Sequence, residues 1–402
     1  MKPLKHQRKF EKGYDGPSLI VHEGGTGKTV CACLWLRDGR DADAIVVCPK
    51  KVVRKWQAAL SAWDTRATVV SKEQFKKLPV REWSAKVIDE ADEFASPLFV
   101  AKQRSQLSSA LYALTARYPE MPTLLLTATP IRSTPWNLHT LMAFAGNYVD
   151  WKEWRSRYFE QRKMPFMKFP AWLPKAGWRH LMRPVLEREA DIVLLRDCVG
   201  ELPPVTEEKI LVESPKYVRQ PEDKPFFDEH RNEQANKPAD ILSYGRRFRK
   251  VLVVAYYREQ ITELEEVLSR DKETFAIHGG VKDQEAEIDR ATESDDCYFI
   301  VQASIGAGFD ADTFSCIVFA SMSYAVRDLV QLKFRVRRIH NLHPVLYAYL
   351  LGGRCDKAIL RNVEAGKDFV PSEWEADIWE ERALDGFREH GDHEAAGGQE
   401  EI

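Results

Sequence analysis

Residues Ser18 to Val30 read SLIVHEGGTGKTV, a short apolar run that empties into a glycine-rich loop ending in Gly27-Lys28-Thr29. A strand that stops in such a loop and restarts as a helix is a nucleotide-phosphate site. Small residues at Gly24, Gly25, Thr26 and Gly27 let successive backbone N–H groups curl around a phosphate. Lys28 adds a point charge, and the Thr29 hydroxyl is placed to ligate Mg²⁺. The following VCACLWLRDG has the apolar content of a buried helix, so phosphates would also meet a helix N-terminus. The loop departs from the usual GxxxxGK[ST] spacing at one position, where His22 stands in place of the first glycine. A Gly-Lys-Thr in a surface loop would lack the flanking strand and helix that this one has.

Further along, Lys86 to Ala95 read KVIDEADEFA, an apolar run that delivers carboxylates to a strand end. Asp89 is placed to hold Mg²⁺ through its water shell, and Glu90 to orient and deprotonate an attacking water. Acid pairs in loops are usually solvated surface. Here the position after a phosphate loop, at the end of an apolar run, favours catalysis.

The chain has 402 residues, more than one hydrophobic core usually serves, and its 44% hydrophobic content suffices for two. Its net charge of −2 conceals an asymmetry: residues 371–402 carry eleven acidic and two basic side chains, leaving 57 basic and 50 acidic elsewhere. A mildly cationic body is compatible with a phosphate-backbone partner, and the acidic tail, with Trp374 and Trp379, reads as partly disordered. The seven cysteines show no metal spacing and read as buried free thiols of a reducing compartment. Neither a signal-peptide segment nor a membrane-length apolar run is present. The expectation is a cytosolic monomer.

Strand-like runs alternate with helical stretches, the signature of parallel sheets flanked by helices. They are Leu19 to Val21, Ala44 to Cys48, Thr68 to Val70, Lys86 to Ile88 and Thr123 to Thr127, then Val251 to Ala255, Cys297 to Ala303, Cys316 to Ala320 and Val345 to Leu351. Between the two sets, Asp150 to about Arg183 is dense in aromatic and basic residues, among them Trp151, Trp154, Arg155, Tyr158, Phe159, Trp172 and Trp178. These residues suit base stacking and phosphate pairing. At helical spacing they equally suit a small platform packed on a lobe, the reading favoured for the aromatics.

Taken together, these motifs resemble the Swi/Snf-type ATPases of helicase superfamily 2 from Gln7 to about Lys367. LKHQRKF is similar to the family's adenine-reading motif, with Gln7 as the amide, and HEGGTGKT (from His22 through Glu23 to Thr29) to its DExGxGKT loop. IVVCPKKVVRKW and VVSKEQF resemble strand-contacting motifs; they imply nucleic-acid contacts at Pro49, Lys50, Lys51 and Ser71. Asp89-Glu90-Ala91-Asp92 reads like the related DEAD-box proteins, and LLLTATPIRS resembles LTGTP, implying further contacts at Thr127 and Thr129. LLRD…ELPP (Leu194 to Pro204) resembles the inter-lobe connector. In the second half AIHGG and QASIGAGFD imply nucleic-acid contacts at His278, Gly279 and Ser304, and nucleotide contacts at Gly308 and Asp310. QLKFRVRRIHN is similar to QxxGRxxRIGQ; it implies catalytic roles for Gln331, Arg335 and Arg338, with Phe334 in place of the glycine.

The resemblance implies an α/β fold of two RecA-like parallel-sheet lobes in tandem with a helical connector. Lobe 1 would span residues 1–149, an aromatic and basic helical insertion with the connector 150–204, lobe 2 205–370, and the acidic tail 371–402. It also implies ATP and Mg²⁺ bound between the lobes. The activity implied is a nucleic-acid-dependent ATPase that moves along or remodels double-stranded DNA. A strand-separating helicase on DNA or RNA and an ATP-binding nucleic-acid scaffold without turnover are the alternatives.

Overall fold

A computed structural model describes residues 2–98, 104–132, 134–163, 170–198, 204–218, 220, 224–305, 309, 311–337 and 343–365. The first lobe begins with β1 (Leu19–His22), α1 (Lys28–Arg37), β2 (Ala44–Cys48), α2 (Val53–Ala62), β3 (Thr68–Ser71) and the single turn α3 (Lys72–Phe75). It continues through β4 (Ala85–Asp89), α4 (Gln106–Arg117), β5 (Thr123–Thr127) and α5 (Trp136–Phe144). Residues facing alternate sides of these strands enter two separate cores. Leu19, Ile45, Ile88 and Leu125 pack on one face of the sheet, and Ile20, Val46, Val87 and Leu126 on the other. A sheet buried on both faces needs near-continuous apolar strands, the pattern that made these segments visible in the sequence.

The stretch after α5 is not helical throughout. Helix α6 (Trp151–Tyr158) runs into a short antiparallel hairpin of β6 (Phe159–Arg162) and β7 (Ala171–Pro174), followed by α7 (Trp178–Glu189) and β8 (Ala190–Val193). Strand β8 pairs parallel with β1, so the first sheet has the order β3-β2-β4-β5-β1-β8 and draws its edge strand from beyond residue 149. Trp154, Tyr158, Phe159 and Trp178 are buried in the core beneath β1 and β5. Most of the aromatic insertion is therefore a packed platform; Trp172 remains exposed, with Arg155 stacked on its ring at 4.2 Å.

The second lobe comprises β9 (Val205–Leu211), α8 (Pro225–Asn232), α9 (Lys237–Arg247), β10 (Lys250–Ala255), α10 (Arg258–Leu268), β11 (Glu273–Ile277) and α11 (Gln284–Glu293). It is completed by β12 (Cys297–Gln302), β13 (Cys316–Phe319), α12 (Val326–Val336), β14 (Val345–Leu351) and α13 (Arg354–Glu364). All neighbours in its sheet, β11-β12-β10-β13-β14-β9, are parallel. Among the described residues no helix is long and apolar enough to cross a membrane. The seven cysteines are free thiols, six of them buried.

The second lobe holds a fully buried ion cluster at its strand ends. Lys237 Nζ lies 2.6 Å from Asp356 Oδ2, and His230 Nε2 lies 3.0 Å from Asp356 Oδ1. Burial alone would raise the Asp356 carboxyl, but Lys237 and His230 bring it from 3.8 down to about 2. A depressed carboxylate stabilises the fold above its ordinary range and loses that contribution as pH falls through its folded value. Asp356→Ala strands the Lys237 charge in the interior. The expected loss is about 3–5 kcal/mol, as for any broken buried pair, read as a lowered midpoint in denaturant unfolding at neutral pH. An unchanged midpoint would mean the cluster is not closed as described.

Candidate nucleotide and catalytic site

The phosphate loop is built on left-handed glycines. Gly25 and Gly27 have φ of 85° and 82°, conformations in which a Cβ is strained. At Gly27 a Cβ would also lie 2.4 Å from Gln7 Nε2. Gln7 itself is buried, with Nε2 donating to the Thr26 carbonyl at 3.1 Å and Oε1 accepting from Leu4 N at 2.8 Å. Both ends of the amide expected to read adenine are thus engaged, and Gln7 braces the phosphate loop. Thr26 is equally committed: its hydroxyl donates to the Glu23 carbonyl at 2.8 Å. The Glu23 carboxylate accepts from Leu195 N at 2.7 Å, tying the loop to the segment after β8 instead of facing phosphate. Lys28 Nζ is held at 2.8 Å by the His22 carbonyl and at 3.3 Å by that of Glu23. Thr29 sits in the first turn of α1, behind the Gly27 N-cap.

Strand β4 ends at Asp89, whose Oδ2 accepts from the buried Trp56 indole at 2.9 Å. Glu90 follows with φ 51° and ψ 54°, a left-handed conformation that is unusual for a non-glycine residue. Strain of this kind costs about 1–3 kcal/mol and concentrates at functional positions. Burial raises the Glu90 carboxyl, and Asp92 and Asp89 add to the rise, against the opposing pull of Lys28 and Arg327. Oxygen donors at Thr29 and Asp89 beside a cationic phosphate loop are the hard ligand set that suits Mg²⁺.

Asp92, the fourth position of the acidic motif, proves to be a hub. Its carboxylate accepts from the Thr127 hydroxyl at 2.9 Å, the Thr129 hydroxyl at 3.4 Å and Arg132 Nε at 2.8 Å. Thr127 is fully buried. The expected nucleic-acid contact at Thr127 is therefore corrected to an internal link between β5 and the acidic turn; the Thr129 hydroxyl shares that link. Ser71 is corrected likewise: it is 4% exposed and its hydroxyl caps α3 by accepting from Gln74 N. Lys50, Gly279 and Ser304 are exposed, and Pro49, Lys51 and His278 are half-buried.

The second lobe closes directly on this site. Gln331 Nε2 on α12 donates to Glu90 Oε2 at 3.3 Å. Arg327, one turn earlier, lies 3.5 Å from both Glu90 Oε2 and Asp92 Oδ2 and 2.7 Å from Glu93 Oε1. The motif comparison did not single out Arg327, and an arginine opening an amphipathic helix gives no signal until the lobes are placed together. Lys72 is a second such residue, buried with Nζ 2.8 Å from Glu93 Oε2 and 3.4 Å from the Glu90 carbonyl. Burial would raise Glu93, yet Lys72 and Arg327 hold it at about 2. Arg335 donates to the Phe309 carbonyl at 3.0 Å. Burial first, and the Arg335 charge second, push the Lys51 ammonium down to about 8. Gly308, Asp310 and Arg338 lie outside the described residues, as do Glu201 to Pro203 of the connector and the tail with Trp374 and Trp379.

Phe334 explains one glycine. A Cβ on Gly24 would lie 2.5 Å from Phe334 Cβ across the cleft. Gly24→Ala should therefore push α12 off the phosphate loop. A displacement of about 1 Å in a catalytic array costs on the order of 10²-fold in turnover. Phe334→Gly added to Gly24→Ala should restore much of the loss in steady-state ATPase assays. Additive losses in the double variant would show that the two residues do not meet.

The fold is two tandem RecA-like parallel-sheet lobes, with the glycine-rich loop in the first and α12 of the second laid against the acidic turn beside it. One solved structure supports this fold. The chain is similar to S. cerevisiae Dbp5 bound to RNA and ADP BeF3, with a TM-score of 0.57 at 12% identity over 93% of this chain and 92% of that one. It is also similar to the Sulfolobus solfataricus SWI2/SNF2 ATPase core in complex with dsDNA, with a TM-score of 0.41 at 14% identity over 92% and 93% of the two chains. No protein-family model and no curated protein matches the sequence.

Proposed function

We propose that this protein is a nucleic-acid-dependent ATPase that couples hydrolysis to translocation along, or remodelling of, double-stranded DNA. The observation that carries this reading is the contact of Gln331 and Arg327 from one lobe with Glu90 from the other, beside the phosphate loop. Phosphoryl transfer to water depends on positioning and charge more than on covalent chemistry. Residues 24–29 would hold the phosphates of ATP, and Thr29 and Asp89 the Mg²⁺. Bound there, Mg²⁺ would neutralise charge on the phosphate oxygens. Glu90 orients and deprotonates the water, Gln331 fixes the Glu90 carboxylate, and Arg335 and Arg338 supply charge from the second lobe. Because the site is complete only when both lobes meet, nucleotide favours closure and hydrolysis releases it. Loops at Lys50, Lys51, His278, Gly279 and Ser304 would grip the sugar-phosphate backbone on either lobe, so alternating closure advances the protein along it.

The catalytic set of Lys28, Thr29, Asp89, Glu90 and both arginines argues against a scaffold without turnover. One observation favours the helicase alternative: the β6–β7 hairpin carries the exposed Trp172, material for a wedge. A triplex and a forked duplex separate the two. Translocation predicts that a third strand is displaced from a triplex in an ATP-dependent manner, with stimulation falling steeply as salt screens phosphate contacts. Efficient unwinding of the fork, lost in Trp172→Ala, together with stimulation by single strands only, would overturn translocation in favour of strand separation.

A further inference from the structure

Beneath the phosphate loop a second cluster answers the one departure in the loop's sequence. His22, in place of the loop's first glycine, ends β1 fully buried. A ring nitrogen of His6, a ring nitrogen of His22 and Cys31 Sγ all lie within 4.8 Å of one another. Cys31 is fully buried on α1, and its sulfur is 4.0 Å from His22 Nδ1. Neither nitrogen of His22 has a short partner. Nε2 stands 3.5 Å from Asp191 Oδ2, within ion-pairing reach, and Nδ1 is 4.0 Å from the Cys31 sulfur. A fully buried imidazole whose two nitrogens make only long contacts needs an explanation.

The surroundings have the character of an outer coordination shell. Metal-bound histidines hold their other nitrogen on a carboxylate or backbone carbonyl. Here Asp191 faces His22 Nε2, and His6 Nε2 lies 2.9 Å from the Thr26 carbonyl. The other His/Cys/Asp/Glu cluster among the described residues, Glu229, Glu233 and Cys355, lacks this character. Glu229 is paired with Arg354 through both oxygens, and Glu233 accepts from Cys355 N and Asp356 N at 2.9 Å each.

The geometry points to a divalent-cation site formed by His6, His22 and Cys31, whose two imidazoles and one thiolate select Zn²⁺ over the Mg²⁺ of the nucleotide site. Binding releases the thiol proton to solvent. It would clamp the segment carrying Gln7, the end of β1 and the start of α1 into one unit beneath the phosphate loop, with His6 reaching the loop through Thr26. The site does not depend on the chain hydrolysing ATP.

Titrating the metal-free full-length protein with Co²⁺ tests this, because a cysteine ligand gives a thiolate-to-metal charge-transfer band and a tetrahedral site gives intense ligand-field bands. We expect saturation at about one equivalent, displacement by Zn²⁺, and no thiolate band in Cys31→Ala, whereas Cys355→Ala retains it. His6→Ala lies at a half-buried position and spares the core; it should weaken Zn²⁺ binding by more than about a hundredfold, beyond the 10- to 100-fold cost of losing an outer-shell partner expected for Asp191→Asn. Far-UV circular dichroism confirms that each variant is folded. Absence of a thiolate band in the unsubstituted protein, its persistence in Cys31→Ala, or undiminished affinity in folded His6→Ala would overturn the assignment.

Discussion

Glu90→Gln should lower ATP turnover by about 10²- to 10⁴-fold, the range a positioned general base contributes, while leaving ATP binding in place. The amide keeps the side chain's shape and can still accept from Gln331 Nε2. Arg327 keeps its contacts with Asp92 and Glu93, so the lobes retain their junction. The variant should consequently accumulate in the closed, ATP-bound form on nucleic acid, detectable as slowed dissociation in the presence of ATP. Turnover close to the unsubstituted rate would remove Glu90 from the catalytic role.

The second large effect lies on the opposite lobe. Arg335→Ala and Arg338→Ala should each reduce turnover by about 10³-fold or more, the scale of arginines that stabilise transferring phosphoryl groups. ATP affinity should stay within several-fold, because charge delivered to the transition state contributes little to ground-state binding. Arg335 is held by the Phe309 carbonyl, and after burial its charge is the second cause lowering the Lys51 ammonium. An effect confined to affinity, with kcat unchanged, would contradict the finger role.

How much of this was legible in the sequence depended on burial. The central strands β2, β5 and β14 are apolar on both faces, and their limits could be read directly from the residues. Strands β8 and β9 could not: both are sheet edges whose sequences, ADIV and VTEEKIL, are interrupted by charged residues and partly exposed, so neither forms an apolar run. The β6–β7 hairpin was hidden in the same way by FEQR and by the proline that ends AWLP.

Within the site, residues whose chemistry is local were legible: the loop of Gly24 to Thr29 and the pair Asp89-Glu90 stand in recognisable strings. Residues whose role depends on three-dimensional closure were not. Asp92 draws two threonines and Arg132 inward, turning expected surface contacts into internal ones. Arg327 and Lys72 acquire partners only when two lobes, or two distant turns, are placed side by side. His22 looked like a blemish in a glycine-rich loop because its neighbours His6 and Cys31 are near it in space and carry no shared spacing.

The most direct test of the central claim is the steady-state rate of ATP hydrolysis by the full chain at low salt, measured alone, with duplex DNA and with single-stranded DNA. The account predicts that duplex DNA stimulates hydrolysis at least as well as single strands, and that Lys28→Ala abolishes both basal and stimulated rates. Hydrolysis that ignores nucleic acid, or that survives in Lys28→Ala, would contradict it.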